Sequence, residues 1–182
     1  QCGDDTRGLR NKVLLLLGYE TMRRRAELVG FRFSDLRQSE HEQRGLWLQS
    51  SKTDQAGQGR ILVISETLHR QLMHWYQFAG DGRILRAVTK DGRITESLTP
   101  ESVNRILKRL EKAHLQKPMG LSGHSFRVGR TVDLIAEGAT IEQIALHGGW
   151  SSHETAYRYG HSWRDTAQGA SAPVSWAASQ GV

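Results

Sequence analysis

From Thr6 to Glu20 the chain carries Leu9, Val13, Leu16 and Leu17 at helical spacing, and Leu14 and Leu15 widen that face. Apolar residues recurring every three or four positions line one side of a helix. Here they spread around most of its girth, so the helix is largely buried and other elements must surround it. Its longest apolar run, Val13 to Leu17, is far short of the ~20 residues that cross a bilayer. Asp4, Asp5 and Thr6 are candidates for its N-cap. With 182 residues the chain has enough length to bury a core around such a helix without staples, but hardly enough for two full domains.

A second short helix is expected from about Arg24 to Val29, stopped near Gly30. The period then changes. Asp35-Leu36, Leu46-Trp47-Leu48 and Ile61-Leu62-Val63-Ile64 are short apolar runs, and the last two flank a polar, Gly-bearing segment from Ser50 to Gly59. This pattern predicts a small three-stranded antiparallel sheet with a tight turn that holds Lys52. Ser65 then caps a helix to about Phe78, with Leu68, Leu72, Trp75 and either Tyr76 or Phe78 inward. After a loop with Gly80, Gly82 and Gly92, Thr99 caps a helix whose first residue is Pro100. Its Val103, Ile106, Leu107 and Leu110 face in, while Arg105, Lys108, Arg109 and Lys112 face out. A further helix follows Ser122 and ends at Glu137-Gly138. Thr140 caps a short one from Ile141 to Leu146, which Gly148-Gly149-Trp150 breaks. Ser151 or Ser152 caps another that reaches Tyr157 and Tyr159. From Gly160 to Val182 the composition turns to Ala, Ser and Gly, which predicts a tail that is loose or docks on a neighbouring molecule. The fold class expected is mixed α/β, mostly helical.

The 25 Lys and Arg exceed the 19 Asp and Glu, a net charge of +6. A basic balance of this size suits a polyanionic partner but does not specify one. One cysteine forms no internal disulfide and fits a reducing compartment, and no signal peptide opens the chain, so a cytoplasmic, nucleoid-associated location is expected. The chain begins at Gln1 rather than Met, which reads as a fragment of a longer protein. The sequence contains no phosphate-binding Gly-rich loop, no nucleophile elbow and no metal-binding His or Cys motif. Eight histidines without ligand spacing give no metal site, and none is expected.

What remains is a set of donors and a tyrosine. Arg24 stands three residues before Glu27, and His124 three before Arg127, so each pair shares a helix face. Trp150 follows two glycines and has a directional indole N–H. Two arginines, a histidine, an indole N–H and Lys52 are almost purely donors. Gathered in one pocket they require an anion between them. The transition state of phosphodiester transfer is such an anion, its charge spread over the non-bridging oxygens. A tyrosine hydroxyl can attack phosphorus and divide one difficult step into two. A lysine with a lowered pKa can protonate the departing oxygen.

The order and spacing of these residues resemble the catalytic domain of the tyrosine recombinases, the phage integrase family, and within it the Cre-like members. The resemblance runs from about Asp5 to Tyr159. Its most specific parts are Gly123-His124-Ser125-Phe126-Arg127-Val128-Gly129, then Gly148-Gly149-Trp150, then Tyr159 nine residues beyond the tryptophan. Arg24-Arg25-Ala26-Glu27-Leu28 with Asp35-Leu36 resembles the family's first-arginine box, and Ser51-Lys52-Thr53 lies where the family keeps a lysine between its second and third strands. The resemblance implies that Arg24 and Arg127 clamp the scissile phosphate and that His124 hydrogen-bonds it and assists proton transfer from Tyr159. Trp150 donates its indole N–H, Lys52 is the general acid for the 5′-hydroxyl, Glu27 supports Arg24, and Tyr159 forms the 3′-phosphotyrosine. No cofactor is implied. Arg24 is chosen over Arg23 and Arg25 by its distance from Glu27. The two neighbours are then DNA-backbone contacts or solvent-facing, and Arg130 is a further DNA contact. Tyr157 is the competitor of Tyr159, which is preferred by its spacing from Trp150.

The resemblance further implies a catalytic domain over residues 1–160 and a tail over 161–182, in which Trp163, Val174 and Trp176 are apolar anchors. The family's N-terminal helical domain has no counterpart here, so weak DNA binding is expected. The expected partners are double-stranded recombination sites and other copies of the chain, a monomer when free and a homotetramer in the synapse, with no membrane. The expected activity is site-specific DNA recombination. The rivals are strand cleavage and rejoining of the type IB topoisomerase kind, and a DNA-binding relative that has lost catalysis.

Overall fold

Helix α1 (Thr6–Thr21) starts where the Asp5 side chain accepts from Gly8 N at 2.7 Å. It ends at Met22, whose φ of 52° makes it the one non-Gly residue with positive φ among those described. The structure, a computed structural model, describes residues 2–3, 5–38, 43–49 and 59–167. Leu14 and Leu17 are wholly buried and Val13 nearly so. Around α1 lie α2 (Arg25–Gly30), a 3-10 turn (Phe33–Asp35), and the strands β1 (Leu36–Gln38), β2 (Arg44–Leu48) and β3 (Arg60–Val63). Five more helices follow: α3 (Glu66–Ala79), α4 (Pro100–His114), α5 (Gly123–Ala136), α6 (Ile141–Gly148) and α7 (His153–Ala167). Among the described residues no helix is long and apolar enough to cross a membrane.

The strands form one antiparallel sheet in the order β1-β2-β3. Leu36 pairs with Leu46, and Leu46 with Leu62, which sets Leu46 and Leu62 into the core. The first strand begins one residue later than the sequence suggests, because Asp35 closes the 3-10 turn by accepting from Arg32 N at 2.7 Å. Lys52 and its neighbours lie outside the described residues. On α3, Leu68, Leu72 and Trp75 are buried. Phe78 is exposed, and the inward partner is Tyr76, edge-on to Phe33. The Ser65 cap also ties α3 to α1, since its N and Oγ both donate to the Glu20 carboxylate, at 2.9 and 2.7 Å.

The apolar interior has two parts. The main core gathers α1 to α4 and the sheet. A smaller cluster of Ile144, Ala145 and Ala156, with Leu134, Ile135 and Trp150 against it, joins α5, α6 and α7. Helix α5 touches both: Phe126 packs into the main core, and the ring reaches so near Gly18 of α1 that a Cβ there would lie 2.5 Å from it. The last helix corrects the sequence expectation. It does not stop at Tyr159 but runs through Gly160 to Ala167. Gly160 is buried, and a Cβ on it would lie 2.5 Å from Ile135 Cδ1. This glycine permits close packing of α7 on α5 rather than ending the helix. Residues 168–182, with Val174 and Trp176, lie outside the described residues.

Candidate active site

The C-terminal end of a helix leaves carbonyls without intrahelical partners and carries the negative pole of the helix dipole. At the end of α1 these carbonyls are taken by side chains. His147 Nε2 donates to Glu20 O at 2.7 Å, Arg23 Nε to Thr21 O at 2.7 Å, and Arg127 Nη1 to Met22 O at 2.7 Å. Arg127 is only 4 % exposed, and its guanidinium lies 4.5 Å from the centre of the Trp150 ring. A buried cation fixed from behind by a carbonyl and from the side by an indole offers its remaining N–H groups in one direction.

Arg24 is the N-cap of α2. Its backbone N donates to Glu27 Oε2 at 2.9 Å and its Nη1 to Glu27 Oε1 at 3.2 Å. Glu27 therefore orients Arg24 while satisfying the helix start, as its position three residues on in a capping box allows. The α5 start is held by two polar residues of α4. Asn104 Oδ1 accepts from Gly123 N at 2.9 Å, and buried Glu111 accepts from Met119 N and Leu121 N. Ser122 caps the helix, so His124 and Arg127 project from its first turn and a half. Trp150 follows α6 directly after Gly149, whose φ of 65° turns the chain. Tyr159 sits on α7, its hydroxyl 3.2 Å from His124 Nδ1. The Tyr159 ring lies 4.9 Å from those of both His124 and Trp150, centre to centre.

Arg24, His124, Arg127, Trp150 and Tyr159 line one open cleft of about 640 Å³. Burial, and then Arg127, push the His124 pKa below its ordinary value, so at neutral pH one ring nitrogen is free to accept. Burial also pulls down the Arg127 pKa, against which Tyr159 acts, but a guanidinium stays charged across the accessible pH range. The cleft thus holds two fixed cations, an imidazole, an indole N–H and a phenol. A second cleft of about 490 Å³ lies between α2 and the sheet, lined by Arg24, Glu27, Trp47 and Gln49. Gln49 is the last described residue before the segment that carries Lys52.

The three neighbouring arginines part company. Arg25 is exposed at the mouth of the main cleft. Arg23 is not a surface residue: at 1 % exposure it lies inside, donating to Thr21 O and His147 O. The expectation that Arg23 faces solvent is corrected, because the polar groups at the end of α1 draw it inward. Arg130 stands away from the cleft, paired with Glu137 Oε1 at 2.7 Å and lying over the Tyr19 ring. Tyr157 is 51 % exposed and does not line the cleft. Asn104 and Glu111 escaped the sequence reading. Glu111 carries a readable signal, a carboxylate at helical spacing from Val103 and Leu107 on the inward stripe. Among the described residues no cluster of His, Cys, Asp or Glu is placed to hold a metal ion.

The phage integrase family model matches residues 1–165 of this chain. The chain belongs to the phage integrase family. It is 24 % identical over 172 residues to the recombinase Cre of Escherichia phage P1, a match covering 86 % of this chain and 50 % of that protein. The chain thus spans about half the length of that curated relative. Among solved structures it resembles XerA recombinase, with a TM-score of 0.65 and 18 % identity over 91 % of this chain and 58 % of that one. It also resembles XerH recombinase in a post-cleavage complex with its difH substrate, with a TM-score of 0.63 and 14 % identity over 92 % and 46 % of the two chains. A lambda integrase dimer on a core site gives a TM-score of 0.58 at 18 % identity, over 83 % and 52 %.

Proposed function

We propose that the protein is a site-specific tyrosine recombinase, cutting and rejoining DNA through a 3′-phosphotyrosine intermediate. The observation that carries this reading is the meeting of Tyr159 with His124 at 3.2 Å in a cleft that Arg24, Arg127 and Trp150 also line. A phosphodiester in that cleft brings its two non-bridging oxygens within reach of the two guanidiniums, the indole N–H and the imidazole. Tyr159 Oη attacks phosphorus as its proton passes toward His124, and the bond to the 5′-oxygen breaks. That oxygen takes a proton from Lys52, the assignment implied by the family resemblance. The free 5′-hydroxyl of a partner strand then attacks the phosphotyrosine, expels Tyr159 and completes strand exchange. The covalent bond conserves the phosphodiester energy, so no nucleotide or metal takes part in the scheme. Fixed donors aimed at the developing charge supply most of the rate.

Exchange between two duplexes requires four strand cleavages, and the proposed working assembly is a homotetramer on paired recombination sites. The test is a nicked suicide duplex carrying sequence that flanks the coding gene, incubated in EDTA and resolved in SDS. A protein–DNA adduct that needs Tyr159 and survives EDTA is the expected result. Duplex binding without any adduct, under conditions where the protein is folded, overturns the reading in favour of a catalytically silent DNA binder. Relaxation of supercoiled plasmids by a monomer, without a preferred site, overturns it in favour of topoisomerase action.

A further inference from the structure

Arg23 is a fully buried cation that the scheme above leaves without a task. It stands between two parts of the cleft that are far apart in sequence. On one side it is bonded within the Thr21–Arg24 junction, through Nε to Thr21 O at 2.7 Å. On the other, Nη2 donates to His147 O in the last turn of α6, across 124 positions. The guanidinium also packs against Gly149, where a Cβ would come within 2.5 Å of Nη1. His147 returns the contact by donating from its ring to Glu20 O at 2.7 Å. Two side chains thus cross the same seam in opposite directions. The junction they hold supplies Arg24 and the Met22 carbonyl that fixes Arg127, and the turn they hold supplies Trp150.

We infer that Arg23, with His147 as its counterpart, is a positioning residue that locks the Trp150 turn to the Arg24 junction, so that the phosphate-binding donors keep one fixed geometry. The inference rests on the recombinase reading for its catalytic consequence, but not for its structural one. A lysine at position 23 can reach one of the two carbonyls, and a methionine neither. Misplacement of a catalytic group by about 1 Å costs ~100-fold in rate, which is the scale at stake when the turn loosens.

Two measurements test this. In the first, the suicide-duplex assay is run in single turnover at saturating DNA, with rates scaled to folded protein. Arg23→Met is expected to slow cleavage ~100-fold with DNA affinity little changed, and Arg23→Lys to recover part of the loss. An unchanged rate overturns the proposal. So does a loss of DNA affinity matching the loss of rate, which would make Arg23 a DNA contact after all. In the second, the indole N–H resonance of Trp150 is followed by NMR in the free chain, with that of Trp75, which donates to Ile84 O, as reference. The Trp150 signal is expected to move in both variants while that of Trp75 stays. A stationary Trp150 signal overturns the proposal whether or not the protein cleaves DNA. Absence of an adduct in the unsubstituted protein, with the Trp150 signal moving as expected, counts against the recombinase reading and leaves the lock supported.

Discussion

Tyr157 and Tyr159 are two positions apart on one helix, which turns them some 200° away from each other. Only Tyr159 enters the cleft, while Tyr157 is 51 % exposed. Tyr159→Phe is therefore expected to abolish the SDS-resistant adduct, and Tyr157→Phe to leave it within about twofold of the parent, a surface change away from the chemistry. The reverse pattern would reassign the nucleophile. His124 gives a second prediction at this scale. Burial chiefly, with Arg127, holds its pKa below the ordinary 6.5, so the imidazole is neutral at pH 7 and can accept a proton from Tyr159. Cleavage should fall at acid pH with an apparent pKa under 6.5 as the ring becomes protonated. His124→Gln should lose that limb and ~100-fold or more in rate. A rate profile with the same acid limb in His124→Gln would assign the limb to another group.

Elements were more legible than their contacts. The helices were readable because a hydrophobic period and a cap are local, and Ser65, Thr99, Ser122 and Thr140 each cap the helix they precede. The sheet was readable because two short apolar runs flank a polar, Gly-bearing segment, and in β3 the buried Leu62 lies between exposed Ile61 and Val63. Gly160 misled, since a glycine that ends a helix and one that admits a neighbouring helix look alike until the neighbour is in place. Gly18 belongs to the second kind. Gly18→Ala gains up to ~1 kcal/mol in helix propensity but drives a Cβ into the Phe126 ring, and overpacking costs ~1–3 kcal/mol. A net loss of stability in urea is expected. Within α5, Thr131 is wholly buried and its hydroxyl has no partner among the described residues. Thr131→Val should raise the urea midpoint, since an unmet buried hydroxyl costs ~1–3 kcal/mol.

At the scale of the whole molecule, what the sequence could not reveal was which charges remain outside. Arg23, Arg24 and Arg25 are chemically identical neighbours, and their fates are decided by a carbonyl 124 positions away, by Glu27, and by open solvent. Family resemblance singled out the cleft residues, but burial is a property of the assembled chain. The distinction matters for DNA binding. On the proposed reading, affinity depends on salt through release of counterions from the phosphates that cations replace, with log K falling by ~0.9 per neutralised phosphate for each unit of log salt. An exposed arginine at the cleft mouth can contribute to that count, whereas a buried one bonded to carbonyls cannot. Arg25→Gln is therefore expected to weaken binding to any duplex and to lower the salt slope by about one. Arg23→Gln removes the same formal charge and should leave the slope unchanged. Fluorescence anisotropy with a duplex across a range of salt reads both. Equal slope changes for the two variants would mean that counterion release follows total charge, and that the inward turn of Arg23 is undone when DNA binds.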